Sequence, residues 1–318
     1  MKLGSVRKGA PELGSMKSPT FGLERQGPAQ ILSSRKLIGF VCIALIALLC
    51  KRNSSSASFT LSSSLYKPIF RPDINKVVVV GGAGYVGSYL STALQSKGLE
   101  VTIFDKAPNL AQDFNPELRI VTVHSREVSQ LDLSMFGTVI FLGGCTGRKS
   151  CEVLSDADLE EENVSNVIDI MKKMSSSQHL VAASTSAIME GSLGAKEDVE
   201  VNPNLLDSYS LSMFKREVRL QEFLDHDENQ ERPKISLLRF GTVVGNSPGQ
   251  RTDLMIPSFF RAAYTTGRLE VGGHNKMRSF LTSHDLSNAI HTLISKMNQA
   301  HGPHWVLATT FPRTSKRK

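Results

Sequence analysis

The hydrophobic pattern becomes regular only at Lys76. Residues 1–36 mix Gly, Pro, Ser and Lys/Arg without period and are expected to be a disordered basic segment. Residues 37–50 are apolar apart from Gly39, with Lys36 before them and Lys51 and Arg52 after. A Ser-rich linker covers 51–75. Then Val77 to Val80 form a continuous β-branched run, the pattern of a parallel strand buried on both faces. A glycine-rich turn follows. Val86, Leu90, Ala93 and Leu94 next share one side of a helical pattern that Gly98 ends. Residues 99–104 predict a second strand, with Asp105 at its carboxyl end. Strand and helix signals alternate as far as residue 310, and residues 311–318 are a basic tail. Such alternation predicts one α/β domain over 76–310.

The net charge of +7 changes meaning once it is divided along the chain. Residues 1–76 balance at +9 and residues 313–318 at +4, whereas residues 77–312 balance at −6. The body lacks the basic face that a nucleic-acid partner requires. Four cysteines and the scattered histidines show no metal-ligand spacing, so no metal site is expected.

Fourteen apolar residues reach only ~21 Å as a helix, against a hydrocarbon core of ~30 Å. Snorkelling of Lys36, Lys51 and Arg52 closes that gap. Seven Lys/Arg precede the run and four lie in the twenty-one residues after it. The sequence therefore predicts a single-pass anchor at 37–50 with a cytoplasmic amino terminus and a lumenal body in the Golgi or ER. The competing reading is a signal or organellar transit segment that is removed.

The turn Gly81-Gly82-Ala83-Gly84-Tyr85-Val86-Gly87 carries the clearest chemistry. Gly81 makes the tight turn, Gly84 admits a pyrophosphate to the backbone, and Gly87 lets helix and strand pack closely. The helix start at Tyr85 and Val86 offers N–H groups and a positive dipole to phosphate. Asp105 is placed to accept from the adenosine ribose hydroxyls. Its charge repels a 2′-phosphate, so NAD is the expected cofactor. The adjacent Lys106 leaves NADP open.

These strings resemble the extended short-chain dehydrogenase/reductases, and within them the NAD-dependent epimerase/dehydratase family that acts on nucleotide sugars. The resemblance implies a Rossmann doubly wound parallel sheet, with a small substrate-binding lobe at the carboxyl-terminal end. It covers Lys76 to Thr310. Residues 138–144 resemble the fourth strand, which places Leu142 and Gly143 over the cofactor. Asn163 resembles the asparagine opening a dimer-facing helix, which implies a homodimer. Residues 180–187 resemble the fifth strand, with Ser186 as the catalytic hydroxyl and Thr185 and Ser184 as neighbouring alternatives. Tyr209 resembles the acid/base of a Tyr-x-x-x-Lys helix. Residues 238–245 resemble the sixth strand, and Arg278 resembles the arginine that holds the substrate diphosphate.

Three departures accompany the resemblance. Met213 stands where the family has lysine, although Ser212 and Glu217 confirm the register. Lys215 is expected to point elsewhere. Arg216 returns to the Tyr209 face but ~10 Å further along, too far to replace the lysine without rearrangement. Ser125 follows the third strand in place of Gly-Asp. The strand at 305–310 is expected in the substrate lobe, and no further helix follows it. The expected activity is thus epimerisation or dehydration of a nucleotide sugar, impaired at Met213. The rivals are an inactive cofactor-binding homologue and a reductase of the same fold. Cys145 and Cys151 are expected to be idle loop thiols. Arg148 and Lys149 are expected either at a substrate phosphate or in solvent. The Asn163-Val164-Ser165 sequon is expected on a packed helix, hence unused.

Overall fold

The computed structural model describes residues 72–107, 115–189, 197–225, 232–271, 278–299 and 305–309. The expected anchor at 37–50 lies outside them. Among the described residues no helix is long and apolar enough to cross a membrane.

The strand expected from Lys76 begins earlier, as β1 (Asp73–Val80), because the Asp73 N–H already bonds the Met135 carbonyl at 3.1 Å. It is followed by α1 (Tyr85–Ser96), β2 (Glu100–Asp105), β3 (Arg119–Thr122) and β4 (Phe136–Phe141). Two short helices, α2 (Arg148–Glu152) and α3 (Asp156–Glu160), come next, and α3 runs through a wide turn into α4 (Asn166–Lys173). Then come β5 (His179–Thr185), α5 (Ser208–Asp225), β6 (Lys234–Phe240), β7 (Thr242–Val244), α6 (Met255–Thr266), β8 (Phe280–Thr282), α7 (Ser283–Gln299) and β9 (Trp305–Thr309).

Seven strands form one parallel sheet in the order β3-β2-β1-β4-β5-β6-β9, and β7 and β8 pair as a separate parallel ribbon. Alternation along β1 explains the layering. Val77 and Val79 pack on one face with Leu90 and Leu94 of α1 and Ile290 and Ile294 of α7. Val78 and Val80 pack on the other with Val167 and Ile170 of α4 and Leu220 of α5. Both faces are covered, so no polar position interrupts the run. At ~25 cal/mol per Å² of buried apolar surface, these four valines add several kcal/mol to the gross driving force.

The strand at 305–309 departs from expectation. It pairs with β6 from Ile235↔Trp305 to Arg239↔Thr309, as the seventh strand of the main sheet rather than part of the substrate lobe. The preceding helix α7 packs on the sheet beside α1, so the chain re-enters parallel to β6 by an ordinary crossover.

The registers Val80↔Phe104, Val80↔Phe141 and Phe141↔Ala182 align the strand ends. Strand order reverses between β1 and β4, which opens a crevice at their carboxyl edge.

His179 on β5 sets an acid limit on this core. It is 1% exposed, with Nε2 2.8 Å from Ser236 Oγ. Burial, and then the charge of Lys234, holds the imidazole down at about 3. The unfolded chain takes up a proton near pH 6.5 that the folded one refuses, so stability falls as pH drops below 6.5. This residue alone should remove about 2 kcal/mol by pH 5. Urea unfolding at pH 7 and pH 5 checks it. His179→Gln should flatten the acid slope, and an unchanged slope would assign the loss elsewhere.

Candidate active site

The turn after β1 is held by backbone contacts that leave no room for side chains. Gly81 lies in the left-handed region at φ +78, and its N–H donates to the Phe104 carbonyl at 2.8 Å. A Cβ there would fall 2.8 Å from the Gly143 nitrogen, so the ends of β1 and β4 touch. The Leu142 N–H closes the same seam by donating to the Val80 carbonyl at 2.9 Å. A Cβ on Gly87 would meet the Gly81 carbonyl oxygen at 2.5 Å, which brings α1 hard against the turn. Gly84 is exposed, and a Cβ there would touch only Gly81 O at 3.4 Å. Tyr85 is buried, Val86 is half-buried, and no side chain caps the helix start.

Asp105 locks onto this turn. One carboxylate oxygen accepts from the Ala83 N–H at 2.9 Å and the other from the Ala107 N–H at 3.0 Å. After β3, Ser125 is the acceptor of an Asn166 Nδ2–H bond at 3.3 Å. The segment following β7 also rests on the turn. Ser88 Oγ donates to the Gly84 carbonyl at 2.9 Å and lies 2.8 Å from Ser247 Oγ, while the Tyr85 hydroxyl donates to the Gly245 carbonyl at 3.1 Å. A Cβ on Gly249 would fall 2.9 Å from the Tyr85 nitrogen.

Across the crevice, the end of β5 and the turn after it present three adjacent hydroxyls with different fates. Ser184 donates to the Glu217 carboxylate, which Arg239 grips through Nε and Nη2. Ser184 is therefore part of a buried structural pair. Thr185 is the hydroxyl that acts on the Tyr209 phenol, drawing its pKa down against burial. Ser186 is half-buried and opens the following turn.

Asp207 starts α5 by accepting from the Ser210 N–H at 2.9 Å, and it pairs with Arg148 Nε at 2.6 Å. That ion pair, half-exposed at Arg148, ties α2 to α5 and takes Arg148 away from the role of a phosphate ligand. Tyr209 packs beside Ile188, Met189, Met213 and Phe214. Met213 is 3% exposed within this apolar cluster. Lys215 points away and pairs with Glu160 at 3.4 Å.

Arg216 departs from the sequence expectation. Fully buried, it donates to the carbonyls of Asn163, Ala183 (2.7 Å) and Gly143 (3.3 Å). Helix side chains lean toward the amino terminus, the direction in which Tyr209 lies. Burial pushes the Tyr209 phenol up, while the Thr185 hydrogen bond and the charges of Arg216 and Arg251 pull it down and Cys151 pushes it further up.

Asn163 is a clamp. Its Oδ1 accepts from the Cys145 N–H at 2.7 Å, and its Nδ2 donates to the Cys145 carbonyl and to Ser212 Oγ. With no exposed surface, it offers nothing to glycosylation. The two cysteine sulfurs lie 2.9 Å apart, and burial pushes the Cys151 thiol up.

Arg251 was not singled out in the sequence, where it is one basic residue in a loop. Its Nη1 donates to Thr146 Oγ1 at 2.9 Å, its Nε and Nη2 hold Asp253, and its charge reaches Tyr209. It bridges the segment after β7 to the loop after β4. Arg278 stands exposed just before β8, where the Thr242 N–H bonds the Ser279 carbonyl at 2.9 Å. That places it beside the point where the chain leaves the main sheet.

The sequence profile of the NAD dependent epimerase/dehydratase family matches residues 77–308. A search of curated proteins gives no match. Among solved structures, MoeE5 in complex with UDP-glucose and NAD is 25% identical, with a TM-score of 0.60 over 74% of this chain and 75% of that one. TunA, an NAD-dependent NDP-hexosamine 5,6-dehydratase of tunicamycin biosynthesis, is 22% identical, with a TM-score of 0.60 over 74% of each chain. UDP-glucuronic acid 4-epimerase from Bacillus cereus, in complex with UDP-glucuronic acid and NAD, is 19% identical, with a TM-score of 0.60 over 75% of this chain and 78% of that one.

Proposed function

The chain belongs to the NAD dependent epimerase/dehydratase family over residues 77–308, and on that premise we propose that it binds NAD at the 81–87 turn and epimerises or dehydrates a nucleotide sugar. The residues present fit the cofactor. Gly81 and Gly87 stand where any Cβ would strike backbone, while Gly84 is open. Asp105 is held against the turn with its charge at the β2 edge. When bound, NAD supplies reversible hydride acceptance.

The chain's own residues do the rest. Tyr209 accepts the proton of the substrate hydroxyl being oxidised and returns it on reduction. Thr185, which acts on that phenol, orients the same oxygen, with Ser186 next to it in the chain. Arg278 supplies positive charge on the side where a diphosphate would lie. The observation that carries this reading is the glycine turn locked by Asp105, with Tyr209 packed on the α5 side of the same strand edge and acted on by Thr185. MoeE5 and the Bacillus cereus epimerase bind UDP-sugars and NAD, which supports the substrate class.

Met213 favours a second reading, a cofactor-binding homologue without turnover. Its thioether sits in a closed apolar cluster and carries no charge to the phenol.

Calorimetric titration of the full chain with NAD and NADP, followed by NMR of reactions with UDP-, dTDP- and GDP-sugars, tests the proposal. NAD should bind at least ten-fold more tightly than NADP. Asp105→Ala should weaken NAD preferentially, because the Ala83 N–H loses its acceptor and the ribose its carboxylate. Equal affinities, indifferent to that change, would remove the Asp105 assignment. NAD binding without turnover of any sugar would favour the second reading.

A further inference from the structure

We propose that Arg216 is the positioning cation of this site, reaching back along α5 to take over at Tyr209 the electrostatic role of the lysine that Met213 replaces. The inference rests on the reading of Tyr209 as the acid/base.

Tyr209 and Arg216 are seven residues apart, so they fall on one helix face two turns apart. Met213 fills the rung between them as an uncharged spacer, 3% exposed. The arginine leans toward Tyr209, and three carbonyls fix its head. Ala183 lies two residues before Thr185, the partner of the phenol. Gly143 belongs to the β4 end that touches Gly81. Asn163 holds the third. The guanidinium thus lies behind the crevice, between the hydroxyl wall and the cofactor turn, with the Phe141 ring 5.1 Å beneath it.

Its charge is not neutralised by these contacts. All three acceptors are neutral carbonyls, and the nearby Glu217 is engaged by Arg239 in three hydrogen bonds at 3.0, 3.2 and 2.6 Å. A buried cation in neutral surroundings stabilises any anion that forms beside it. The anion this site must form is the Tyr209 phenolate. Consistently, burial draws the guanidinium down to about 10, while Tyr209 and then Glu217 push it back up. The other groups acting on the phenol are Thr185 from β5, Cys151 from α2 and Arg251 from beyond β7.

A merely structural Arg216 would tie strands and helix together and leave the titration of Tyr209 alone. The test is the ring-13C NMR titration of Tyr209 in the full chain, assigned with Tyr209→Phe, together with the pH profile of turnover. Arg216→Gln keeps side-chain donors and removes the charge. It should move the Tyr209 titration alkaline by about one pH unit or more and cut neutral-pH turnover about ten-fold or more. Adding Met213→Lys to Arg216→Gln puts a cation one turn from the phenol and should restore both. If Arg216→Gln does not fold, Arg216→Lys carries the test: it keeps the charge without the planar fork, and a titration like that of the natural protein supports the role whereas an alkaline shift overturns it. A folded Arg216→Gln whose Tyr209 titrates unchanged overturns it, as does a double variant whose titration stays alkaline. A natural protein without turnover would reject the enzymatic reading and leave the titration to judge Arg216.

Discussion

Tyr209→Phe should lower turnover by about 10²–10⁴-fold while leaving NAD affinity and stability nearly unchanged. The ring stays packed against Ile188, Met189 and Phe214, so the loss is confined to one hydroxyl. Burial holds the phenol above its ordinary range, so the proton-accepting phenolate is scarce at neutral pH. The natural protein should therefore speed up as pH rises from 7 toward 10, and the variant should lose that rising limb. Pre-steady-state and steady-state rates across that range, with thermal melts of both proteins, check the expectation. A variant that keeps both its rate and its alkaline rise would place the base on another residue.

Gly87→Val should cost still more on the cofactor side. A Cβ at this position would lie 2.5 Å from the Gly81 carbonyl oxygen and 2.6 Å from the Gly82 Cα, both rigid backbone. Either α1 moves off the turn or the turn itself deforms. We expect a stability loss of about 2–4 kcal/mol and NAD affinity reduced at least 100-fold, read by thermal unfolding and titration calorimetry. Gly98→Ala is the matched control. Gly98 also has a positive φ, +89, but a Cβ there meets nothing within 4 Å. It should lose only the ~1–2 kcal/mol of left-handed backbone strain and keep NAD binding. Equal NAD affinity in Gly87→Val and the natural protein would mean that the cofactor does not use this turn.

The cofactor half of the site was legible because its information is local. A β-branched run, three glycines at fixed spacing and an acid closing the next strand fall within thirty residues, and each has one conformational use. The structure adds the bond between Asp105 and the Ala83 N–H and the segment after β7 that rests on the turn. The catalytic half was legible in part. The family resemblance singles out Tyr209 and puts Ser186 first as its partner, with Thr185 and Ser184 as alternatives, whereas in the structure it is Thr185 that acts on the phenol. In a strand and the turn after it, successive side chains point to different sides. Which of them meets Tyr209 depends on how α5 lies across β5, and Ser184 is taken by Glu217.

Arg216 shows where counting along a helix stops being enough. The rise per residue separates it from Tyr209, but its direction of lean and the carbonyls of Gly143, Ala183 and Asn163 fix where the charge lies. Arg251 and the strand at 305–309 are of the same kind. One depends on a contact with Thr146 across 105 residues, the other on the edge of β6 being open to a returning chain. Sequence by itself determined the α/β class, the 81–87 turn, Asp105 and the missing lysine, because near neighbours enforce each of them. Tertiary structure alone decided which hydroxyl and which buried cation lie near Tyr209, because charge and hydrogen bonding act through space between segments that only packing brings together.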